Sequence, residues 1–90
     1  MDIAVPAGSR FYLQGKVCNS AGMKTQCIWS RYPEADSSDK NIFMRQKEGT
    51  AEIRIPEAAH SGETYHFLCT AIKGTEIPIK TYTRVVVTIL

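Results

Sequence analysis

No apolar run in this 90-residue sequence approaches the roughly 20 residues that span a bilayer, so direct membrane insertion is not expected. No basic start followed by an apolar stretch marks a secretion signal. An excess of one charge is missing too. Eleven Lys and Arg stand against nine Asp and Glu, and the cations are scattered from Arg10 to Arg84 without a stripe of interleaved aromatics. That argues against nucleic-acid binding by electrostatic attraction. Histidine is scarce, with only His60 and His66. Neither Cys-x-x-Cys nor His-x-x-x-His occurs, so no metal set is expected. No glycine-rich phosphate loop, Asn-x-Ser/Thr acceptor or spaced carboxylate pair is present. Neither a cofactor nor catalysis is expected, and the reading is non-enzymatic.

What is present is β structure. "SRFYLQGKV", "TQCIWSRY", "TAEIRI", "ETYHFLCTAI" and "TYTRVVVTIL" are short runs rich in strand formers and bounded by turn residues. Their phases fit half-buried strands. Phe11, Leu13, Gly15 and Val17 share a face, as do Cys27 with Trp29, Ile53 with Ile55, and Val85 with Val87 and Ile89. In "GETYHFLCTAIKG", Tyr65, Phe67, Cys69 and Ala71 fall on one side, and His66, Leu68 and Thr70 on the other. Residues 1–90 are expected to form a single antiparallel β-sandwich of about seven strands, all-β in class. Its core landmarks are Leu13, Trp29, Ile53, Ile55, Tyr65, Phe67, Val85 and Val87.

Between the strands, "EADSSDK" reads as an exposed loop whose Glu34, Asp36 and Asp39 are solvated charge, since it lacks the ligand pattern of a calcium loop. "IFMRQ" fits either a short edge strand or one helical turn. "PEAAHSG" makes a single helical turn at most. His60 reads as a surface residue and His66 as partly covered. On a strand that alternates, His66 and Cys69 point to opposite faces, which argues against a Cys–His nucleophile. Tyr32, Phe43 and Met44 read as core or edge packing before contact patch. Three cysteines, Cys18, Cys27 and Cys69, leave at least one free or paired outside the chain. In a small β-rich domain they point to an oxidising compartment.

In order and spacing, "VPAGSRFYLQG", "CIWS" and "GETYHFLCTAIKG" followed by "RVVVTIL" resemble an immunoglobulin-like or PKD-like β-sandwich module. The absence of "Trp-x-Phe-Gly-Asp" after the tryptophan moves the resemblance towards divergent sandwiches of the egg-jelly-receptor and polycystin type. The strand-B cysteine of an immunoglobulin domain falls near Gly15 here, and Phe67 stands where its partner is expected. "AEIRIPEAAHSGETYHFLC" also resembles the end of an apicomplexan surface-antigen domain, though those usually carry more cysteines. The sandwich resemblance implies that the strands of Cys27 and Cys69 are neighbours, with Trp29 near Phe67. Cys27–Cys69 is then one candidate disulfide. Cys18–Cys27, stapling the loop between two strands, is another, and three reduced thiols are the third alternative.

The resemblance implies a non-enzymatic binding or adhesion module of a larger, membrane-anchored protein. It would be extracellular or at the cell surface, with a protein partner or neighbouring domains of the same chain as its contacts. The final strand "RVVVTIL" running to the last residue fits a chain that continues in its parent. A structural spacer or self-assembling subunit without a ligand site is the second reading. A small enzyme or a carbohydrate-binding module ranks last, because sugar binding calls for exposed aromatics on one face and the single Trp29 reads as buried.

Overall fold

The computed structural model describes residues 1–15, 19–20, 23–74, 77 and 79–90, and the side chains of 1–15, 26–74, 77 and 79–90. Cys18 and Val17 lie outside the described residues. The strands are β1 (Asp2–Val5), β2 (Arg10–Gln14), β3 (Asn19–Ser20), β4 (Met23–Arg31), β5 (Phe43–Lys47), β6 (Thr50–Arg54), β7 (Thr64–Lys73) and β8 (Ile79–Ile89). One turn of 3-10 helix, Pro33–Ala35, follows β4. Two sheets form, β1-β8-β7-β4-β3 and β2-β6-β5. Apart from the two-residue β3, seven strands make an all-β sandwich, and each of the five runs picked out from the sequence contains a strand among its described residues.

"IFMRQ" is a strand, β5, at the edge of the smaller sheet. It pairs with β6 through the two-residue turn Glu48-Gly49, and Lys47 lies opposite Thr50. Both turn residues have positive φ, 49° at Glu48 and 81° at Gly49. This is the combination a tight hairpin needs to match the strand twist. "PEAAHSG" forms turns rather than a helix. One strand is not evident from the sequence. β1 pairs with β8 in parallel, from Asp2 opposite Val86 to Val5 opposite Ile89. Its "DIAV" is too short to announce itself, yet Ile3 and Val5 pack against the core.

The core lies between the sheets. Leu13, Ala51, Ile53 and Ile55 of the β2-β6-β5 side meet Trp29, Tyr65, Phe67, Cys69, Val85, Val87 and Ile89 of the other. Every core landmark named from the sequence is buried. Tyr65, Phe67, Ile53 and Val87 have no accessible surface. Burial of such side chains stabilises by about 1.5–3 kcal/mol each.

Gln46, on β5, joins the sheets at their open side. Its side-chain amide accepts from the Trp29 backbone N–H (2.7 Å) and donates to the Trp29 carbonyl (2.6 Å). The amide thus takes the place of a neighbouring strand on the free edge of β4, the kind of exposed edge that sheets otherwise pair or cover. The Trp29 indole N–H and the Gly15 backbone N–H both donate to the Gly49 carbonyl, at 3.0 and 2.8 Å.

The β7–β8 hairpin outruns the sandwich. β1 meets β8 only from Val86 onward, and residues 79–84 of β8 are exposed on both faces. The molecule is correspondingly long, 45 × 22 × 19 Å.

Candidate functional site

Strand alternation turns three rows of side chains outward on the β2-β6-β5 sheet. From β2 across β6 to β5 the register sets Arg10, Arg54 and Phe43 in one row. Tyr12, Glu52 and Arg45 form the next, and Gln14, Thr50 and Lys47 the third. Tyr12 is 53% exposed and Phe43 45%. Tyr12, Arg45, Lys47, Glu48, Thr50 and Glu52 line a cleft of about 390 Å³ on this face.

Glu52 anchors the cleft. Its Oε2 forms an ion pair with Arg10, Nε lying 3.0 Å away, and accepts a hydrogen bond from Arg54 Nε at 3.1 Å. Arg10 also donates to the Tyr12 hydroxyl (2.9 Å), an interaction that raises the guanidinium pKa above its ordinary value. The Arg54 guanidinium lies 4.4 Å from the centroid of the Phe43 ring, and Arg10 5.9 Å from that of Tyr12. Cation–π contacts at such exposed sites contribute about 0.5–1 kcal/mol each. The result is a fixed surface of two aromatic rings with donors and acceptors beside them. Arg45 and Lys47 present donors unshared among the described residues, and Glu52 and Thr50 present acceptors. Such a surface can stack a flat ligand and hydrogen-bond its hydroxyls.

Sequence pattern alone assigns Phe43 to edge packing and gives Tyr12, Glu52 and Arg45 no role. A signal for this face is nonetheless present: 10, 12, 14, then 43, 45, 47, then 50, 52, 54 are the positions out of phase with the core.

The outer face of the larger sheet carries Ile28, Thr70 and Tyr82 in one row and Ser30, Leu68 and Arg84 in the next. Tyr82 is 61% exposed, and Ile77 and Ile79 at the end of the hairpin are also exposed. Tyr32 is exposed with the Arg84 guanidinium 5.1 Å from its ring centroid.

Two polar clusters are structural. Asp36 is expected from the sequence to be solvated loop charge, and the structure corrects this: its carboxyl group has no accessible surface. It accepts from Arg31 Nη2 (2.6 Å) and the His66 backbone N–H (2.6 Å), with His66 Nδ1 3.3 Å away. The loop folds back because a buried carboxylate is tolerated where charge-assisted hydrogen bonds satisfy it. Glu34 and Asp39 of the same loop are exposed. The second cluster is Glu63, which accepts from the His60 backbone N–H, Lys40 Nζ and the Tyr65 hydroxyl. The His60 backbone N–H, more than Lys40 and Tyr65, holds the carboxyl at about 2, below its ordinary 4.5. His60 is a surface residue and His66 largely covered.

Cys27 and Cys69 are free thiols with their sulfurs 2.7 Å apart. Trp29 pairs with Cys69, not Phe67, so the register differs by two residues from the expected one. A two-residue shift preserves the face, and the thiols meet diagonally across β4 and β7. Among the described residues no cluster of three or more metal-ligating side chains occurs, and no helix is long and apolar enough to cross a membrane.

Comparison with known proteins gives two matches of different kinds. The family model for the C-terminal domain of the cellulose-binding protein Sde0182 matches residues 13–89. A solved structure matches over the whole chain with a TM-score of 0.87 and 27% identity. It is a nucleoside hydrolase-related hypothetical protein from Saccharophagus degradans associated with carbohydrate metabolism, and the present chain covers 22% of it. No curated protein matches. With the family model beginning within β2 and running to the end of β8, the chain belongs to the family of the C-terminal domain of cellulose-binding protein Sde0182.

Proposed function

We propose that the chain is a non-catalytic module that binds a β-glucan chain on the outer face of the β2-β6-β5 sheet. The observation that carries this reading is the cleft beside Tyr12, where an exposed ring stands next to Glu52, Arg45 and Thr50. The pyranose C–H face stacks on an aromatic ring, and the equatorial hydroxyls meet the flanking donors and acceptors. The family's name supports a polysaccharide ligand rather than a protein partner. Sugar binding thus moves from last place to first, and the aromatics are tyrosine and phenylalanine rather than the buried Trp29. An insoluble polymer is met outside the cell, which supports an extracellular or cell-surface setting. The 22% coverage of the related structure supports a module of a larger protein.

An immunoglobulin-like topology is part of the same reading. β2-β6-β5 takes the places of strands B, E and D, and β4-β7-β8 those of C, F and G, while β1 sits beside β8 instead of β2.

Depletion of the protein from solution by insoluble cellulose tests the proposal. Tyr12→Ala is expected to weaken retention by tenfold or more, roughly 1.4 kcal/mol. Tyr82→Ala on the opposite face should leave retention unchanged. Equal retention of wild type and Tyr12→Ala, or loss with Tyr82→Ala alone, refutes this face as the site.

The exposed Ile77, Ile79 and Tyr82 favour a second reading, a spacer that docks its projecting hairpin on a neighbouring domain. In that case Ile79→Lys disturbs domain packing in the parent protein and leaves cellulose retention intact.

A further inference from the structure

We propose that Cys27 and Cys69 are a redox-responsive pair that closes to an intra-sheet disulfide across β4 and β7. Three observations carry it. The sulfurs stand 2.7 Å apart, about 0.7 Å more than a disulfide bond. The pairing of Trp29 with Cys69 and of Cys27 with Ala71 holds the two cysteines on one face of adjacent strands, so little backbone movement separates the two states.

Gly15 is the third and independent observation. It continues the inward phase of Phe11 and Leu13, where a core side chain belongs. A Cβ at Gly15 would stand 2.8 Å from Cys27 Cβ and 3.2 Å from Cys69 Sγ, and closer still to Cys27 Sγ. The opposite sheet thus leaves the space of one side chain to the two sulfurs.

The thiols differ in reactivity. Cys69 is buried, and burial, with the Cys27 thiol beside it, pushes it up to about 12. Cys27 is half-buried and is the one a reagent reaches first. With a small disulfide RSSR as oxidant, the Cys27 thiolate attacks one sulfur and releases RS⁻, giving a mixed disulfide. The Cys69 sulfur, losing its proton to solvent, then attacks Cys27 Sγ and releases the second RS⁻. Two protein thiols are oxidised, one RSSR is reduced to two RSH, and the protons balance. A two-step exchange of this kind makes the Cys27–Cys69 bond reversible.

The test uses the full 90-residue chain carrying Cys18→Ser, treated with oxidised glutathione and then alkylated. The expected result is loss of two hydrogens in intact mass, no alkylation, and one Cys27–Cys69 cross-linked peptide. Dithiothreitol should reverse all three. Closing the loop should raise Tm on the order of 10 °C over the reduced form. Two alkylatable thiols after oxidation, or a glutathione adduct on Cys27 that persists, overturns the proposal. In the wild-type chain, a bond that takes Cys18 in preference to either partner overturns it too.

Discussion

Gly15→Ala is a one-carbon substitution with a large expected effect. The backbone at Gly15 is not left-handed, so alanine meets no conformational strain there. On the unfolded state alone it would stabilise the protein by about 0.4–1 kcal/mol. The packing reverses that sign. The added methyl comes within 2.8 Å of Cys27 Cβ and nearer still to Cys27 Sγ, so that side chain or strand β4 must move. Overpacking of this kind costs about 1–3 kcal/mol, and the near-overlap places Gly15→Ala at the upper end. For a domain of this size a loss of about 2 kcal/mol lowers Tm by roughly 8–16 °C. Cys27→Ala removes the sulfur, the nearer of the two contacts, and so relieves most of the overlap, although its own Cβ stays 2.8 Å from the methyl added at position 15. Thermal unfolding in excess reductant should therefore show that Gly15→Ala/Cys27→Ala is more stable than the two single losses add up to. A coupling of about 1–2 kcal/mol is expected, within the range for residues in contact. A Tm for Gly15→Ala within about 2 °C of wild type, or strictly additive losses, would refute this account of the core.

Other outcomes follow from the polar clusters and the hairpin. Asp36→Ala should cost about 3 kcal/mol in urea unfolding, the low end for breaking a buried ion pair because Arg31 keeps some solvent contact. Asp36→Asn, which keeps an acceptor for the His66 N–H, should cost less, and equal losses would contradict the hydrogen-bond reading. The folded-state pKa of Glu63 is depressed, so its contribution is present above pH 4.5 and is lost as pH falls towards about 2. Glu63→Gln should flatten the acid limb of the Tm profile in that window, and an unchanged profile would contradict it. Glu48 sits at φ 49° in a two-residue turn where asparagine is favoured. Glu48→Asn should raise Tm by a few degrees, corresponding to about 0.5–1 kcal/mol. Gln46→Ala should cost about 1–2 kcal/mol by baring the backbone of Trp29, read by denaturant midpoint.

The sandwich is legible in the sequence because period-two alternation in Leu13, Ile53, Phe67 and Val85 marks which side of each strand faces inward. Alternation gives the face without the register, and so the two-residue difference opposite Trp29 leaves the Cys27–Cys69 contact diagonal. β1 is not legible because four residues carry too little pattern, and its parallel partner lies at the far end of the chain. Asp36 misleads for a different reason: its burial depends on Arg31 and the His66 backbone arriving from β4 and β7, which "EADSSDK" does not contain. The proposed glycan face is hidden because its aromatics are tyrosine and phenylalanine, while the one tryptophan is buried. Tyr12, Glu52 and Arg45 come from three strands, and only the β2-β6-β5 register puts them in one row.

The most direct test of the binding account is an ¹H–¹⁵N titration of the 90-residue chain with a soluble cello-oligosaccharide. Saturable shifts confined to residues 10–14, 43–47 and 50–54, and abolished by Tyr12→Ala, are predicted. An unperturbed spectrum at millimolar sugar, or shifts centred on residues 79–84 of β8, would contradict it.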